Sequence, residues 1–328
     1  LAQTLKHLAC RLPRMIIDAL GWQPIAPLER LNLPWLQDAG VEVAILRLDL
    51  IDPLISGNKW FKLSEHLTLA IDKGAEGLIS LGGAHSNHLH ALAAAGKRFG
   101  FPTAGLLRGH ARQTPTVLDL QAFGMQLHWL GYAGYRARHA ADFWVPWQAL
   151  HPCLYPIAEG GGGLPGAVGC GRLREMVVEQ LEQLGWDDYH GWWLAVGTGT
   201  TLAGLLLAEA GARPVYGAMA VPGDHGVVEN IMAVLNESAG RQVNISPDLP
   251  DNCVLLEACR GGFARTDASL LEFIASGEAY SGVPMEPLYT GKALLALHDE
   301  VQAGRFESGT RLVVIHTGGL QGRRAMGL

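Results

Sequence analysis

The stretch Trp192-Trp193-Leu194-Ala195-Val196-Gly197-Thr198-Gly199-Thr200-Thr201-Leu202-Ala203-Gly204 decides how this chain is read. An apolar strand, Trp192 to Val196, runs into a Gly/Thr loop, and the loop opens a helix over Leu202 to Ala210. Such a turn brings backbone amides up to a phosphate. It is not a Walker loop, because no Lys-Ser/Thr pair follows the last glycine. A dinucleotide fingerprint also fits poorly. The third glycine is misplaced, and the next strand ends in Ala220-Val221-Pro222 without an acid for a ribose. A single phosphate fits better, although tight glycine turns are common in α/β proteins.

The same alternation extends in both directions. Val41–Leu48, Gly77–Leu81, Thr103–Leu107, Gln126–Leu130, Cys153–Ile157, Pro214–Val221 and the run from Arg311 to His316 read as strands. Helices are expected over Trp60–Lys73, after Gly82-Gly83 through about Phe99, and over Pro115–Phe123, Ala133–Leu150 and Ala167–Leu184. Strands alternating with helices, with glycines at the strand exits, predict an α/β fold of parallel βαβ units with right-handed crossovers. Gly160 to Gly163 reads either as a crossing between lobes or as an ordinary turn.

At 328 residues the chain can hold two domains or one large α/β unit. Hydrophobic content of 48% with 17% charged residues describes a globular protein with a generous core. A net charge of −6 without Lys/Arg runs argues against nucleic acid as a partner. No apolar run approaches the roughly 20 residues that span a bilayer, and charges interrupt residues 1–20 where a signal core would be continuous. The five cysteines show no Cys-x-x-Cys spacing, so a reducing cytoplasm is the natural reading.

Other segments bring chemistry to the same edge of the sheet. In Ser56-Gly57-Asn58-Lys59-Trp60-Phe61-Lys62, the two lysines lie about one helical turn apart, near enough to serve one ligand. A lysine able to shed its proton can form a Schiff base; otherwise the pair is a solvated helix face. In Gly82-Gly83-Ala84-His85-Ser86-Asn87-His88, a helix start offers unpaired N–H groups to an anion. There Ser86 or Asn87 is either a ligand-binding group or a simple cap. His85, His88 and His90 invite a metal, but no carboxylate lies among them. Thr317, after the Arg311–His316 strand, should face the same crevice as the Gly/Thr loop. Glu286-Pro287-Leu288-Tyr289 presents Tyr289 at a helix start, with a buried core tyrosine as the alternative.

Asn58-Lys59 with Lys62, Gly82-Gly83 with Ser86-Asn87-His88, Gly199-Thr200-Thr201, Pro287-Leu288-Tyr289-Thr290-Gly291-Lys292 and His316-Thr317-Gly318-Gly319 occur in a telling order. From about Leu28 onward the chain resembles the pyridoxal-phosphate enzymes of the 1-aminocyclopropane-1-carboxylate deaminase and D-cysteine desulfhydrase family. The resemblance implies a two-domain, fold type II architecture like that of tryptophan synthase β. Each domain would be an open, mostly parallel sheet flanked by helices. Residues 1–56 and 164–328 would form the large domain, and 57–163 the smaller one. A homodimer is the family-level expectation.

The resemblance also implies roles. Pyridoxal 5'-phosphate would be held by Lys59 as a Schiff base, with the same amine shuttling the proton. Its phosphate would rest on Gly197, Thr198, Gly199, Thr200 and Thr201, helped by Lys62 and Asn87. Ser86 would face a small amino-acid substrate, and the Ser86-Asn87-His88 turn would grip its carboxylate. Tyr289 would pack on the ring, and Thr317 would neighbour the ring nitrogen. Where the deaminases carry a glutamate after the tyrosine, this chain has Thr290, as in the desulfhydrase branch. A second family tyrosine corresponds to Phe263, and the family's Glu-Gly-Gly-Ser-Asn turn reads Glu159-Gly160-Gly161-Gly162-Gly163. These features favour β-elimination from a D-cysteine-like amino acid over ring-opening deamination. A non-catalytic cofactor-binding relative and, further off, a dinucleotide-dependent oxidoreductase are the other readings.

Overall fold

The computed structural model describes residues 21–240, 248–262 and 264–326. The N-terminal stretch considered for a signal core, and Phe263, lie outside them. In chain order the elements are β1 (Leu28–Arg30), α1 (Pro34–Ala39), β2 (Glu42–Arg47), α2 (Lys59–Asp72), β3 (Gly77–Gly82), α3 (Asn87–Phe99), β4 (Thr103–Leu107) and α4 (Pro115–Ala122). Then come β5 (Gln126–Trp129), α5 (Gly131–Arg136), α6 (Val145–Leu150), β6 (Leu154–Pro156), α7 (Gly163–Val178), β7 (Gly191–Val196), α8 (Thr200–Glu209) and β8 (Val215–Met219). The last are α9 (Val227–Ser238), β9 (Cys253–Glu257), α10 (Ala268–Ser281), α11 (Thr290–Gln302) and β10 (Arg311–His316).

Two sheets result. One has six strands in the order β1-β2-β10-β7-β8-β9, and the other has four in the order β5-β4-β3-β6. Every pairing is parallel except that of the edge strand β1 with β2. Parallel strands covered on both faces need continuous apolar sequence. The strands β3 (Gly77–Gly82) and β7 (Gly191–Val196) are accordingly buried at every residue. The small sheet draws all its strands from residues 77–156. Helix α2 serves both cores: Phe61 joins the core of the large sheet, while Trp60, Leu63, Leu67 and Ala70 join that of the small one.

Two helices differ from expectation. The helix expected over 133–150 is broken into α5, a 3-10 turn at Ala137–His139, and α6. Ala140 takes an extended conformation, and Pro146 stands in the first turn of α6, where its missing N–H costs nothing. The helix expected over 167–184 starts at Gly163 and stops at Val178, with a separate 3-10 turn at Glu182–Leu184. Among the described residues, no helix is long and apolar enough to cross a membrane.

Candidate active site

The carboxyl ends of β10, β7 and β3 carry the segments singled out above, and Gly57 locks the first of them in place. It sits at φ +80°, and a Cβ there would stand 2.1 Å from the Thr317 carbonyl oxygen, so only glycine admits the tip of β10. The Asn58 N–H donates to that same carbonyl at 3.3 Å. The buried Asn58 side chain then works in two directions. Its Nδ2 donates to Thr201 Oγ1 at 2.8 Å, and its Oδ1 accepts from Lys59 Nζ at 2.5 Å. One amide therefore ties the lysine to the Gly/Thr loop.

Lys62 is buried, and its Nζ donates to the Gly160 carbonyl at 3.3 Å. Burial, and then repulsion from Lys62, bring the Lys59 amine down to about 7, with weaker opposition from Cys170 and Glu286. Burial lowers Lys62 as well. Among the described residues neither amine is paired with a carboxylate. Two like charges on one buried helical turn without a counter-charge make a receptor for an anion.

The Gly/Thr loop lies beside them. Gly199 caps α8 at φ +83°, and a Cβ there would press to 2.7 Å from Ile231 Cγ1. Thr200 and Thr201 occupy the first turn of α8, whose N–H groups have no partner within the helix. The Thr198 and Thr200 hydroxyls lie 3.0 Å apart. Opposite them, Glu159–Gly163 forms a tight turn. A Cβ at Gly160 would be 3.0 Å from Thr198 Cγ2, and one at Gly161 would be 3.0 Å from Lys62 Cβ. The turn thus presses directly on the loop and on the lysine helix. A phosphate-bearing cofactor fits this donor set of two amines, a helix N-terminus and threonine hydroxyls, in which, among the described residues, no carboxylate is paired with either amine.

At the third strand end, Ser86 Oγ accepts the Leu89 N–H at 3.2 Å and so caps α3. Asn87 Oδ1 accepts from Gln321 Nε2 at 3.0 Å, and Asn87 Nδ2 lies 2.5 Å from where a Cβ on Gly319 would be. The His88 ring is buried, with Nε2 2.8 Å from Ser80 Oγ and Nδ1 without a hydrogen-bond partner. Burial, followed by the charges of Lys62 and Lys59, lowers its pKa well below the usual histidine range. Tyr289 is half-buried at the start of α11, and its ring edge would be 3.2 Å from a Cβ at Gly197. Thr290 and Thr317 are buried, with hydroxyls 3.4 Å apart.

Sequence reasoning passed over three residues here. Asn58 was quoted beside Lys59 but given no role, and its position next to the lysine was the signal. Glu286 is fully buried and accepts N–H groups from Leu288, Tyr289 and Thr290; an acid just before Pro287 at a helix start was its signal. Gln321 reaches Asn87 only through tertiary approach and left no local sign.

A profile of the pyridoxal-phosphate dependent enzyme family matches residues 16–318. The chain belongs to that family. It is 28% identical over 329 residues to a protein of Pyrococcus horikoshii named putative 1-aminocyclopropane-1-carboxylate deaminase, covering 96% of this chain and 94% of the relative. It is also 28% identical over 317 residues to the bifunctional D-cysteine desulfhydrase/1-aminocyclopropane-1-carboxylate deaminase, mitochondrial, of Arabidopsis thaliana, covering 90% and 76%. A solved deaminase homologue superposes with TM-score 0.75 at 24% identity, covering 96% of this chain and 99% of that one. Serine racemase from Dictyostelium discoideum follows the same fold, with TM-score 0.66 at 15% identity over 95% and 99% of the two chains. This pyridoxal-phosphate enzyme therefore has the fold type II architecture, and its relatives carry deaminase and desulfhydrase names.

Proposed function

We propose that this pyridoxal-phosphate enzyme removes a β-substituent and ammonia from a small amino acid, D-cysteine or a close β-substituted analogue first, giving pyruvate, ammonia and sulfide. The observation that carries the reading is the Thr290–Thr317 hydroxyl pair, 3.4 Å apart, where the deaminases would have a glutamate after the tyrosine. A hydroxyl stabilises a pyridinium less than a carboxylate does. Chemistry with a good leaving group is then favoured, and thiolate leaves far more readily than a cyclopropane carbon.

When bound, the cofactor supplies electron withdrawal from the substrate's α-carbon. Lys59 would hold it, and Gly197, Thr198, Gly199, Thr200, Thr201, Lys62 and Asn87 would bind its phosphate. With its amine near 7, Lys59 Nζ has a neutral fraction at physiological pH that can take the α-proton. The N–H groups at the Ser86-Asn87-His88 turn would orient the substrate carboxylate, with Ser86 Oγ beside the reacting centre. Tyr289, resting on Gly197, would cover the ring. Residues 57–163 would act as the smaller domain of a cytoplasmic homodimer.

A panel of D- and L-amino acids with β-substituents, together with 1-aminocyclopropane-1-carboxylate, assayed for 2-oxo acid and ammonia, tests the reading. The expected result is turnover of D-cysteine or an analogue, with little ring opening. Efficient ring opening beside inertness to every β-substituted amino acid would overturn it. One relative is named for both activities, which makes that contrast the informative one.

A further inference from the structure

Asn58 has no part in the chemistry described above, yet it is buried and bonded at every polar atom it has. Its backbone N–H donates to the Thr317 carbonyl, and its carbonyl accepts the Lys62 N–H, each at 3.3 Å. The side chain has two unlike ends: the amide oxygen only accepts, and the NH2 only donates. Oδ1 accepts from Lys59 Nζ at 2.5 Å, so the amide holds the amine that is to react. Nδ2 donates to Thr201 Oγ1 at 2.8 Å, and Cys170 Sγ stands 3.7 Å from the same oxygen as a second, weaker donor. A hydroxyl whose oxygen accepts keeps its own proton for another partner. Among the described residues no acceptor takes the Thr201 proton. Thr201 also lies in the first turn of α8, where the N–H groups have no partner within the helix.

This rests on the reading in which Lys59 holds the cofactor and the Gly/Thr loop binds its phosphate. We propose that Asn58 is a positioning residue for both ends of the cofactor at once: its oxygen aims the Lys59 amine, and its NH2 turns the Thr201 hydroxyl so that the hydroxyl proton is presented to the phosphate. It acts through those two residues and not by contact with the ligand. The choice of amide over acid follows. A carboxylate of the same size would hold the amine more strongly. It would accept at both ends, however, so the Thr201 hydroxyl would have to donate inward and its proton would be lost to the phosphate. Only a group that accepts at one end and donates at the other serves the lysine and the loop together.

The test separates the two ends by ligand, because pyridoxal carries the aldehyde without the phosphate. Dissociation constants for pyridoxal and pyridoxal phosphate are measured by spectroscopic titration of the cofactor-free protein. The ratio of the two constants reads what the phosphate contributes. Loss of one charge-assisted hydrogen bond predicts about a tenfold fall in that ratio for Thr201→Val and a comparable fall for Asn58→Ala. The double variant should fall no further than either single one, since Asn58 reaches the phosphate only through Thr201. Pyridoxal itself should bind Thr201→Val as it binds wild type, and Asn58→Ala more weakly, where Lys59 has lost its acceptor. Asn58→Asp keeps the side-chain size and serves should Asn58→Ala fold poorly. Its added charge repels phosphate with or without the hydroxyl, so its fall in ratio should be about tenfold larger in the presence of Thr201 than in the Thr201→Val background. Falls that multiply in the double variant, an unchanged ratio in Asn58→Ala, or equal falls for Asn58→Asp in both backgrounds would overturn the assignment and leave the cofactor reading standing. Failure of wild type to bind either ligand, or equal affinity for the two, would overturn the cofactor reading and the role of Asn58 with it.

Discussion

Replacing Lys62 with methionine keeps the buried stem and removes the charge, so it measures what that charge does to Lys59. Burial is the first cause of the low Lys59 value, and Lys62 is the second. Residues one turn apart on a helix have Cβ atoms about 5–6 Å apart. Two unit charges about 6 Å apart at an effective dielectric of about 20 repel by about 2.8 kcal/mol, and at twice that distance by about 1.4 kcal/mol. Lys62→Met should therefore raise the Lys59 titration midpoint by about one to two pH units. Burial persists, so the midpoint should stay below that of an ordinary lysine. The sign is testable, because only the neutral amine reacts. A higher midpoint leaves less neutral amine at pH 7, and labelling at that pH should slow. The assay is the pH dependence of trinitrobenzenesulfonate labelling on cofactor-free protein, resolved by peptide mapping, with exposed Lys73 as internal control. Wild type should show a midpoint near 7 at Lys59. An unchanged or lower midpoint in Lys62→Met would refute the argument that the two amines share one electrostatic site.

Borohydride reduction of the holoenzyme should fix the cofactor on Lys59; a label on Lys62, Lys73 or Lys97 would contradict the assignment. Lys59→Ala should abolish turnover, while Tyr289→Phe should slow it without releasing the cofactor on dialysis. Thr201→Leu removes a hydroxyl that accepts from Asn58 and crowds the start of α8. Cofactor affinity should fall about tenfold or more, the scale of one charge-assisted hydrogen bond, and retention equal to wild type would move the phosphate elsewhere. Arg47→Ala strips the bidentate partner from buried Asp49, whose carboxylate meets Arg47 Nε at 2.9 Å and Nη2 at 2.7 Å. Breaking a buried pair from one side costs about 3–5 kcal/mol, so the urea midpoint should drop sharply; a loss under about 1 kcal/mol would refute the pairing's importance.

The strand Thr103–Leu107 could be placed from sequence to the residue, because a parallel strand covered on both faces is buried along its whole length. Strand β1 went unseen for the opposite reason. It has three residues, Leu28–Arg30, of which only the first is buried, so it carries no periodic signal. The break at Ala140 and Pro146 was visible in principle, but apolar residues on either side masked it. In the site, Lys59, the Gly/Thr loop and Thr317 stand out in local order, and the fold brings the three together around Asn58, while the roles given to them belong to the proposal. The position of Glu286 before Pro287 was a signal but its burial was not, and Gln321 left no sign, because what they do depends on burial and on chain segments brought together by the fold.

The glycine turn shows how a missing side chain can be read once its backbone is placed. The resemblance expects a polar pair where this chain has Gly162 and Gly163. What the turn supplies instead is carbonyl oxygens: Gly160 O to Lys62 Nζ at 3.3 Å and Gly162 O to His66 Nε2 at 3.1 Å. A carbonyl can only accept, so His66 must donate from Nε2. Burial, which takes this histidine down to about 4, keeps the ring neutral with its proton on that nitrogen. Gly160 and Gly161 have no room to become anything larger, with φ of +69° and +75° and neighbours at 3.0 Å. Gly162, at φ −70°, carries no such backbone demand. The loss of polarity is therefore confined to the end of the turn that leads into α7. The part pressed against Lys62 and Thr198 is the part fixed as glycine, beside the residues proposed to bind the phosphate. In the proposed site, departures of this kind would alter what the pocket offers a substrate and would leave the residues proposed to hold the cofactor untouched, so they weigh on the choice of substrate while the family match over residues 16–318 stands.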